Sequence, residues 1–269
     1  MTRPRVYKTE AIVLRQRKLG EADKIVTLFT PNYGKLDGVA KGARRTKSRL
    51  AGHLEVLTHV AVMLAEGRNL DVITQAQAIE GFSPLREDLE RLSRALYAAE
   101  LVDRISPEGE GSYHVFQLLL ATLRRLAEAK NVDTVLRHFE MQILTLTGFQ
   151  PQLEHCVACE GRLPAVPNYF SSPAGGVLCP SCGEGVAAPR SLSVNALKVL
   201  RLLQRGAFAE VSRVRMNSVL AQEVELHLRS YLIHVLEREV RSAAFIDRLR
   251  REGSREPACR QTGPVEVSS

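Results

Sequence analysis

Four cysteines carry the clearest chemistry in the chain. Cys156-Val-Ala-Cys159 and Cys179-Pro-Ser-Cys182 are two CxxC pairs with 19 residues between them. A CxxC turn brings two thiolates within reach of one ion, and two such turns complete a tetrahedral zinc shell. The fifth cysteine, Cys259, has no partner at ligand spacing, and an odd count argues against a disulfide framework. The expectation is one structural zinc ion held by Cys156, Cys159, Cys179 and Cys182. Gly161 and Gly183 would supply the positive φ of tight knuckles. Four thiolates leave no open coordination position, which disfavours hydrolysis at the metal. One enzymatic rival shares these parts: zinc deaminases combine H-x-E with P-C-x-x-C. His53-Leu-Glu55 and His138-Phe-Glu140 have the first pattern, but Glu154-His155 rather than proline precedes Cys156. The second CxxC would then have no role, and His155 reads as an exposed loop residue.

The second chemistry is charge. Lys41-Gly-Ala-Arg44-Arg45-Thr-Lys47-Ser-Arg49 holds five cations and no acid, and Arg15, Arg17 and Lys18 form a further cluster, with Lys24 and Lys35 between the two. Over residues 1–52, thirteen basic residues face four acids (Glu10, Glu21, Asp23 and Asp37), more than the whole of the chain's +7 excess. Polarised positive charge of this kind neutralises phosphates and releases counterions; a solvated loop is the blander outcome of a single charge run. Gly42 would let the backbone approach a phosphate. Aromatic platforms for base stacking are sparse: no Trp and 5% aromatics in all. Tyr33, in the turn Pro31-Asn32-Tyr33-Gly34, is the candidate exposed platform, Tyr7 is a second, and Phe29 is expected in the core. Few aromatics favour backbone recognition without sequence specificity. The chain has no GxxxxGK[ST] loop, no GxGxxG, no HExxH and no GxSxG. ATP-driven work and covalent catalysis therefore have no carrier, and the chain reads as a non-enzyme without a nucleotide cofactor.

These residues need elements to position them. Short alternating segments at Val6–Leu14, Lys24–Thr30, Lys35–Lys41, Leu54–Leu64 and Leu70–Ile79 predict five strands, separated by turn chemistry at Leu19-Gly20, Pro31–Gly34 and Gly67–Asn69. Five short strands suggest a small barrel of the oligonucleotide-binding (OB) type. Ser83-Pro84 starts a helical texture. Helices are expected from there, over Ser112–Lys130, Asp133–Thr147, Ser193–Gln204 and Met216–Arg250, the last broken. Their apolar stripes, such as Leu136, Phe139, Ile143 and Leu146, read as core. The division is therefore α+β: an OB barrel over 1–81, a helical domain over 82–250, a zinc-binding insert at 151–189 within it, and a disordered tail at 251–269. No apolar run approaches the roughly 18 residues of a membrane span, and no apolar segment follows the polar N-terminus as in a signal peptide. A cytoplasmic protein follows.

Tyr7-Lys-Thr-Glu-Ala-Ile-Val-Leu, then Leu19-Gly-Glu-Ala-Asp-Lys-Ile-Val-Thr-Leu-Phe-Thr, then Gly34-Lys-Leu-Asp-Gly-Val-Ala-Lys-Gly-Ala-Arg-Arg closely resemble the opening of the RecO family. The cysteine spacing and Leu146-Thr-Gly-Phe-Gln-Pro, just ahead of it, resemble that family too, and the likeness covers roughly residues 5 to 245. The resemblance implies an OB-fold followed by a helical domain. It implies a mediator of DNA repair and recombination, in the RecF pathway and nucleoid-associated, that binds single- and double-stranded DNA and anneals complementary strands without ATP. Its implied partners are RecR, with which it loads RecA, and the acidic C-terminal tail of the single-stranded-DNA-binding protein, met through the helical domain. Some family members lack the zinc cysteines, which agrees with a structural metal. A zinc-ribbon protein of RNA binding or transcription is the alternative class.

Overall fold

The computed structural model describes residues 5–185, 190–237 and 241–253, without the side chains of residues 241 and 251–253. Five strands, β1 (Val6–Leu19), β2 (Asp23–Thr30), β3 (Gly34–Ala40), β4 (His59–Ala65) and β5 (Asp71–Glu80), close into a barrel in the order β1-β2-β3-β5-β4. Every pairing is antiparallel except β3 with β5, where Gly38 and Val39 meet Asp71 and Val72 in parallel. This is the OB arrangement the alternation predicts.

Two strand boundaries differ by five residues from the sequence expectation, and the others by one at most. β1 continues five residues past Leu14: a bulge between Val13 and Arg15 resets its register, and Arg15 to Leu19 then pair with Thr27 to Asp23. β4 starts at His59 rather than Leu54. The segment before it contains a 3-10 turn (Ala51–His53), and Leu57 is left-handed with φ 68°. Its backbone bonds go to the β1 bulge: Leu57 N–H donates to the Val13 carbonyl at 2.8 Å, and Val13 N–H to the Thr58 carbonyl at 3.0 Å. Leu54 and Leu57 are both buried, one in the barrel and one against the helices. Their apolarity reflects plugging, not alternation.

The helical body comprises α1 (Ser83–Glu87), α2 (Leu89–Ile105), α3 (Tyr113–Glu128), α4 (Val132–Leu146), α5 (Pro180–Gly183), α6 (Val194–Arg205), α7 (Phe208–Val211), α8 (Ser218–Leu236) and α9 (Arg241–Gly253). Asp88 separates α1 from α2 by accepting the N–H groups of Glu90 and Arg91, an N-cap that ends one helix and starts the next. Ser112, Asn131, Ser193 and Asn217 cap α3, α4, α6 and α8 in the same way. The cysteine insert is built on a small sheet the sequence did not predict: β6 (Asn168–Ser171) lies between β7 (Gly176–Leu178) and β8 (Arg190–Leu192). The expected tail overlaps α9 up to Gly253. The rest of it, with Cys259, lies outside the described residues, as do residues 186–189 of the insert.

There are two apolar cores. Val13, Val26, Leu28, Leu64 and Ile73 fill the barrel. A larger core runs through the helices and the insert, and it also takes Ile12, Leu14 and Phe29 from the barrel's outer face. β2 is therefore buried from Ile25 to Thr30 on both faces, which explains its unbroken apolar run. The Phe29 and Phe116 ring centroids are 6.5 Å apart across the joint. Burying a phenylalanine there stabilises the pairing of barrel and helices by about 2–3 kcal/mol. The turn before β3 also meets the helical body through backbone. A Cβ on Gly34 would lie 2.1 Å from the Glu110 carbonyl oxygen, and Gly109 N–H donates to the Lys35 carbonyl at 3.1 Å.

Candidate nucleic-acid interface and metal centre

The basic loop that follows β3 is tied down at both ends. Near its start, Arg44 donates its backbone N–H to the Ala22 carbonyl (2.9 Å) and its guanidinium to the Gly20 carbonyl (2.8 Å), both in the β1–β2 turn. Gly42 adopts φ +66°, and its N–H donates to Asp23 Oδ1 at 2.7 Å. Gly42 thus serves the turn rather than a phosphate, because its amide is already taken. At the far end, His53 Nδ1 accepts the Ala78 N–H of β5 at 3.3 Å. The loop is therefore a belt across one end of the barrel, from the β1–β2 turn to β5. Sequence reading missed Asp23 and His53 as its fasteners. An acid facing a run of cations, and a histidine just after it, were the available signals.

The belt sorts the expected cations into two groups. Lys18, Lys41, Arg44, Arg45, Lys47 and Arg49 are exposed, and among the described residues no carboxylate lies within ion-pair distance of them. Lys18 is the penultimate residue of β1, beside the same turn, so two clusters more than twenty residues apart in sequence meet in space. The others are committed elsewhere. Arg15 Nε lies 3.0 Å from Asp103 Oδ2, and Lys35 Nζ 3.4 Å from Asp103 Oδ1, so both tie the barrel to α2. Arg17 pairs with Asp37 at 2.9 Å. Lys24 is half-buried and donates to Gln16 Oε1 at 2.9 Å. Tyr33 is half-buried against Tyr7, ring centroids 4.8 Å apart, and Tyr7 donates its hydroxyl to Asp71. Phe29 is fully buried, as expected.

In the insert, the Sγ atoms of Cys156, Cys159, Cys179 and Cys182 all lie within 4.8 Å of one another. Tetrahedral zinc, with sulfur at about 2.3 Å, sets thiolates roughly 3.8 Å apart, and Cys159 and Cys179 are 3.9 Å apart. The thiol set therefore fits a divalent ion of tetrahedral preference. Burial alone would raise the Cys156 thiol. The backbone N–H groups of Cys159, Cys179 and Ala158 outweigh it and hold the thiol at about 6. Cys182 moves the other way, pushed up to about 12 by the thiols of Cys179 and Cys159. One sulfur is thus ready as thiolate, and a bound cation would displace the remaining protons. The glycines serve differently from the sequence expectation. Glu160, not Gly161, has the positive φ of the first knuckle (59°). Gly183 is required because a Cβ there would lie 2.1 Å from the Tyr169 ring.

Cys156 is 1% exposed and belongs to the main core. Phe170 of β6 packs on His227 and Tyr231 of α8, at 5.4 and 5.7 Å. Glu154, two residues before the first thiol, pairs with Arg201 and Arg205 of α6. The thiol cluster is wedged against the helices, not hung from a flexible loop. The deaminase pattern dissolves here: the thiol group contains no histidine. His138 instead faces the Gly206 carbonyl and the Phe208 ring, and Glu140 is buried beside Arg137. His155 is exposed, as expected. No helix among the described residues is long and apolar enough to cross a membrane.

Comparison with known proteins matches the same two halves. The family model described as recombination protein O N terminal covers residues 1–82, and that described as recombination protein O C terminal covers residues 86–244. A DNA repair protein RecO from Roseiflexus sp. (strain RS-1) is 44% identical over 269 residues, 99% of this chain and 92% of the relative. The DNA repair protein RecO of Dehalococcoides mccartyi (strain CBDB1) is 40% identical over 93% of this chain and 98% of its own length. That of Symbiobacterium thermophilum is 39% identical over 91% and 98%. With both halves matched and relatives aligned over more than nine-tenths of both chains, the chain belongs to the recombination protein O (RecO) family of DNA repair proteins.

Proposed function

We propose that this RecO-family chain binds single- and double-stranded DNA through the belt and anneals complementary strands without ATP. With RecR it then loads RecA onto DNA coated by the single-stranded-DNA-binding protein. The observation that carries the binding step is the belt: six exposed cations, unopposed by carboxylate among the described residues and fastened in one place by Arg44, Gly42 and His53. Cations of this kind neutralise phosphate and read no base edge, so one strand is held as well as its complement. Screening the repulsion between two backbones removes the main barrier to pairing, and base pairing itself supplies the free energy. No nucleotide hydrolysis is needed.

We assign zinc to the thiol cluster, on donor chemistry and spacing. Bound there, the ion supplies crosslinking only, because four thiolates leave no position for water. Cys156, Cys159, Cys179 and Cys182 would hold it while Phe170 and Cys156 anchor the insert in the core. Lys18, Lys41, Arg44, Arg45, Lys47 and Arg49 are the proposed DNA contacts. Arg15, Arg17, Lys24, Lys35 and Tyr33 act behind them, holding the barrel and its joint with α2. RecR and the acidic tail of the single-stranded-DNA-binding protein are the proposed partners, in a cytoplasmic, nucleoid-associated setting. The RNA or transcription alternative is not favoured by the family match.

The test mixes complementary strands precoated with single-stranded-DNA-binding protein, with and without RecR, in the absence of ATP. Annealing by the chain is expected. Zinc-dependent base hydrolysis or strand cleavage without annealing would overturn the reading.

A further inference from the structure

The belt's far end, at Arg49, Leu50 and His53, lines a cleft of about 820 Å³. Its floor is the outer face of β1, β4 and β5. The register aligns two outward rows there, Lys8–Met63–Gln75 and Glu10–Ala61–Gln77. Arg49 and His53 form the wall, fixed by the bond from Ala78 N–H to His53 Nδ1. The chemistry is mixed in a particular way. Met63 and Ala61 offer a low, flat apolar floor. Gln75 and Gln77 offer both donors and acceptors, and Arg49 and Lys8 supply charge at the rim. Glu10, the single acid in the lining, is turned to His59, with Nε2 and Oε2 3.1 Å apart.

We infer that this cleft is a seat for the unpaired bases of a single strand whose backbone follows the belt. The inference rests on the belt reading above and extends it. A flat apolar floor takes a base face, amides satisfy base edges of any identity, and Arg49 is shared between belt and cleft, so the phosphate path is continuous. A duplex keeps its bases stacked inside and can offer the belt only phosphate. The cleft therefore separates the two forms of DNA that the belt alone treats alike. It also leaves the β1–β2 turn end of the belt open while a strand is seated, which is where a complementary strand would approach.

The experiment uses the full chain carrying Gln75→Glu and Gln77→Glu, both at exposed outward positions. The probes are an oligothymidylate of about ten nucleotides, within the ~4–16 nucleotides an OB barrel accommodates, and a hairpin duplex of equal length. Single-strand affinity is expected to fall roughly tenfold, as when about one net hydrogen bond is lost, while duplex affinity stays within about twofold. Equal loss for both probes, or loss for neither, would overturn the inference and leave the belt intact. Failure of the unsubstituted chain to bind either probe would overturn the belt reading instead. A second variant guards against misfolding. The chain has no Trp, so Met63→Trp places one fluorophore on the floor. Its emission should change on adding oligothymidylate and not on adding duplex. A response to an acidic peptide in place of the oligonucleotide would assign the cleft to a protein partner and sink the proposal.

Discussion

Two sets of cations divide this molecule. On the barrel, Lys41, Arg44, Arg45, Lys47 and Arg49 are exposed, with no carboxylate among the described residues at ion-pair distance. In the helical body, Arg94 and Arg137 are buried and have acids around them, and the half-buried Arg250 joins them. Arg94 is 1% exposed and lies 3.1 Å from Asp133, which also meets Arg250 at 3.0 Å; Arg250 reaches Glu225 at 2.7 Å, and Arg137 meets Glu140 at 3.1 Å. Burial alone would raise Asp133, but Arg94, Arg250 and Arg137 hold it below the usual carboxylate range. The same residue type thus performs two jobs, set by what surrounds it. The paired, buried set fastens α2, α4, α8 and α9 together. The unpaired set keeps its charge for something outside the molecule. If this division is correct, stability and DNA affinity can be damaged separately.

The largest effect should come from the metal centre, on the stability side. Purified chain is expected to hold about one zinc ion, and a chelator or Cys156→Ser should abolish it. Because Cys156 and Phe170 sit in the main core, loss of the ion should open β6–β8 and lower the melting temperature of the helical body. Structural zinc sites in small domains contribute about 10 kcal/mol or more of apparent folding free energy. Metal analysis with thermal melts checks this, and sub-stoichiometric content for every transition metal would refute it. Next is Arg137→Ala. It leaves Glu140, 1% exposed in its side chain, without its nearest cation, and should cost about 3–5 kcal/mol in urea unfolding at pH 8, above the value of about 7 at which Glu140 ionises. DNA affinity of the folded fraction should not change. If affinity falls in step with stability, the two sets are not separate.

The reciprocal break is charge reversal of Arg44, Arg45 and Lys47 together. DNA affinity should fall roughly a hundredfold at low salt, about 2.7 kcal/mol. The log–log salt dependence should become shallower by about three units. Every sequence should be affected alike, and the unfolding free energy should fall by no more than about 1 kcal/mol, the loss of the Arg44 bond to the Gly20 carbonyl. Unchanged affinity would remove the belt from the interface.

How much of this division could be read from sequence follows the range of the interactions. The barrel was legible because alternation is local: Leu36, Gly38 and Ala40 inward, Lys35 and Asp37 outward. β1 beyond Leu14 was not, because Arg15-Gln-Arg-Lys looks like a loop until β2 lies beside it. The thiol cluster was legible because CxxC is a short pattern, whereas β6 to β8 are three or four residues each, too short for periodicity. The charge count found the belt but credited it with Arg15 and Lys35. Their partner, Asp103, lies 68 or more positions away on α2. The acids that meet Arg94 and Arg137 from other helices, Asp133 and Glu225, are remote in sequence in the same way.

The smallest effect separates the sets by pH. Burial raises Glu140 to about 7, against the pull of Arg137, so the folded chain holds a proton that the unfolded chain releases near 4.5. Between those values the native state binds more protons, and stability must fall as pH rises. His138 and His227, both lowered by burial, act in the opposite sense. Their contribution is present above about 6.5 and is lost as pH falls below it. The two trends partly cancel in the unsubstituted chain, so the informative quantity is a difference. Glu140→Gln keeps the shape and removes the charging penalty while leaving both histidines in place. Relative to the unsubstituted chain, the variant should gain stability as pH rises from about 4.5 to 7. DNA affinity over that range should move alike in both proteins, since the belt has no part in the network. A stability difference that stays flat with pH would show that Glu140 is ionised in the fold. The buried set would then be held by charge pairing throughout.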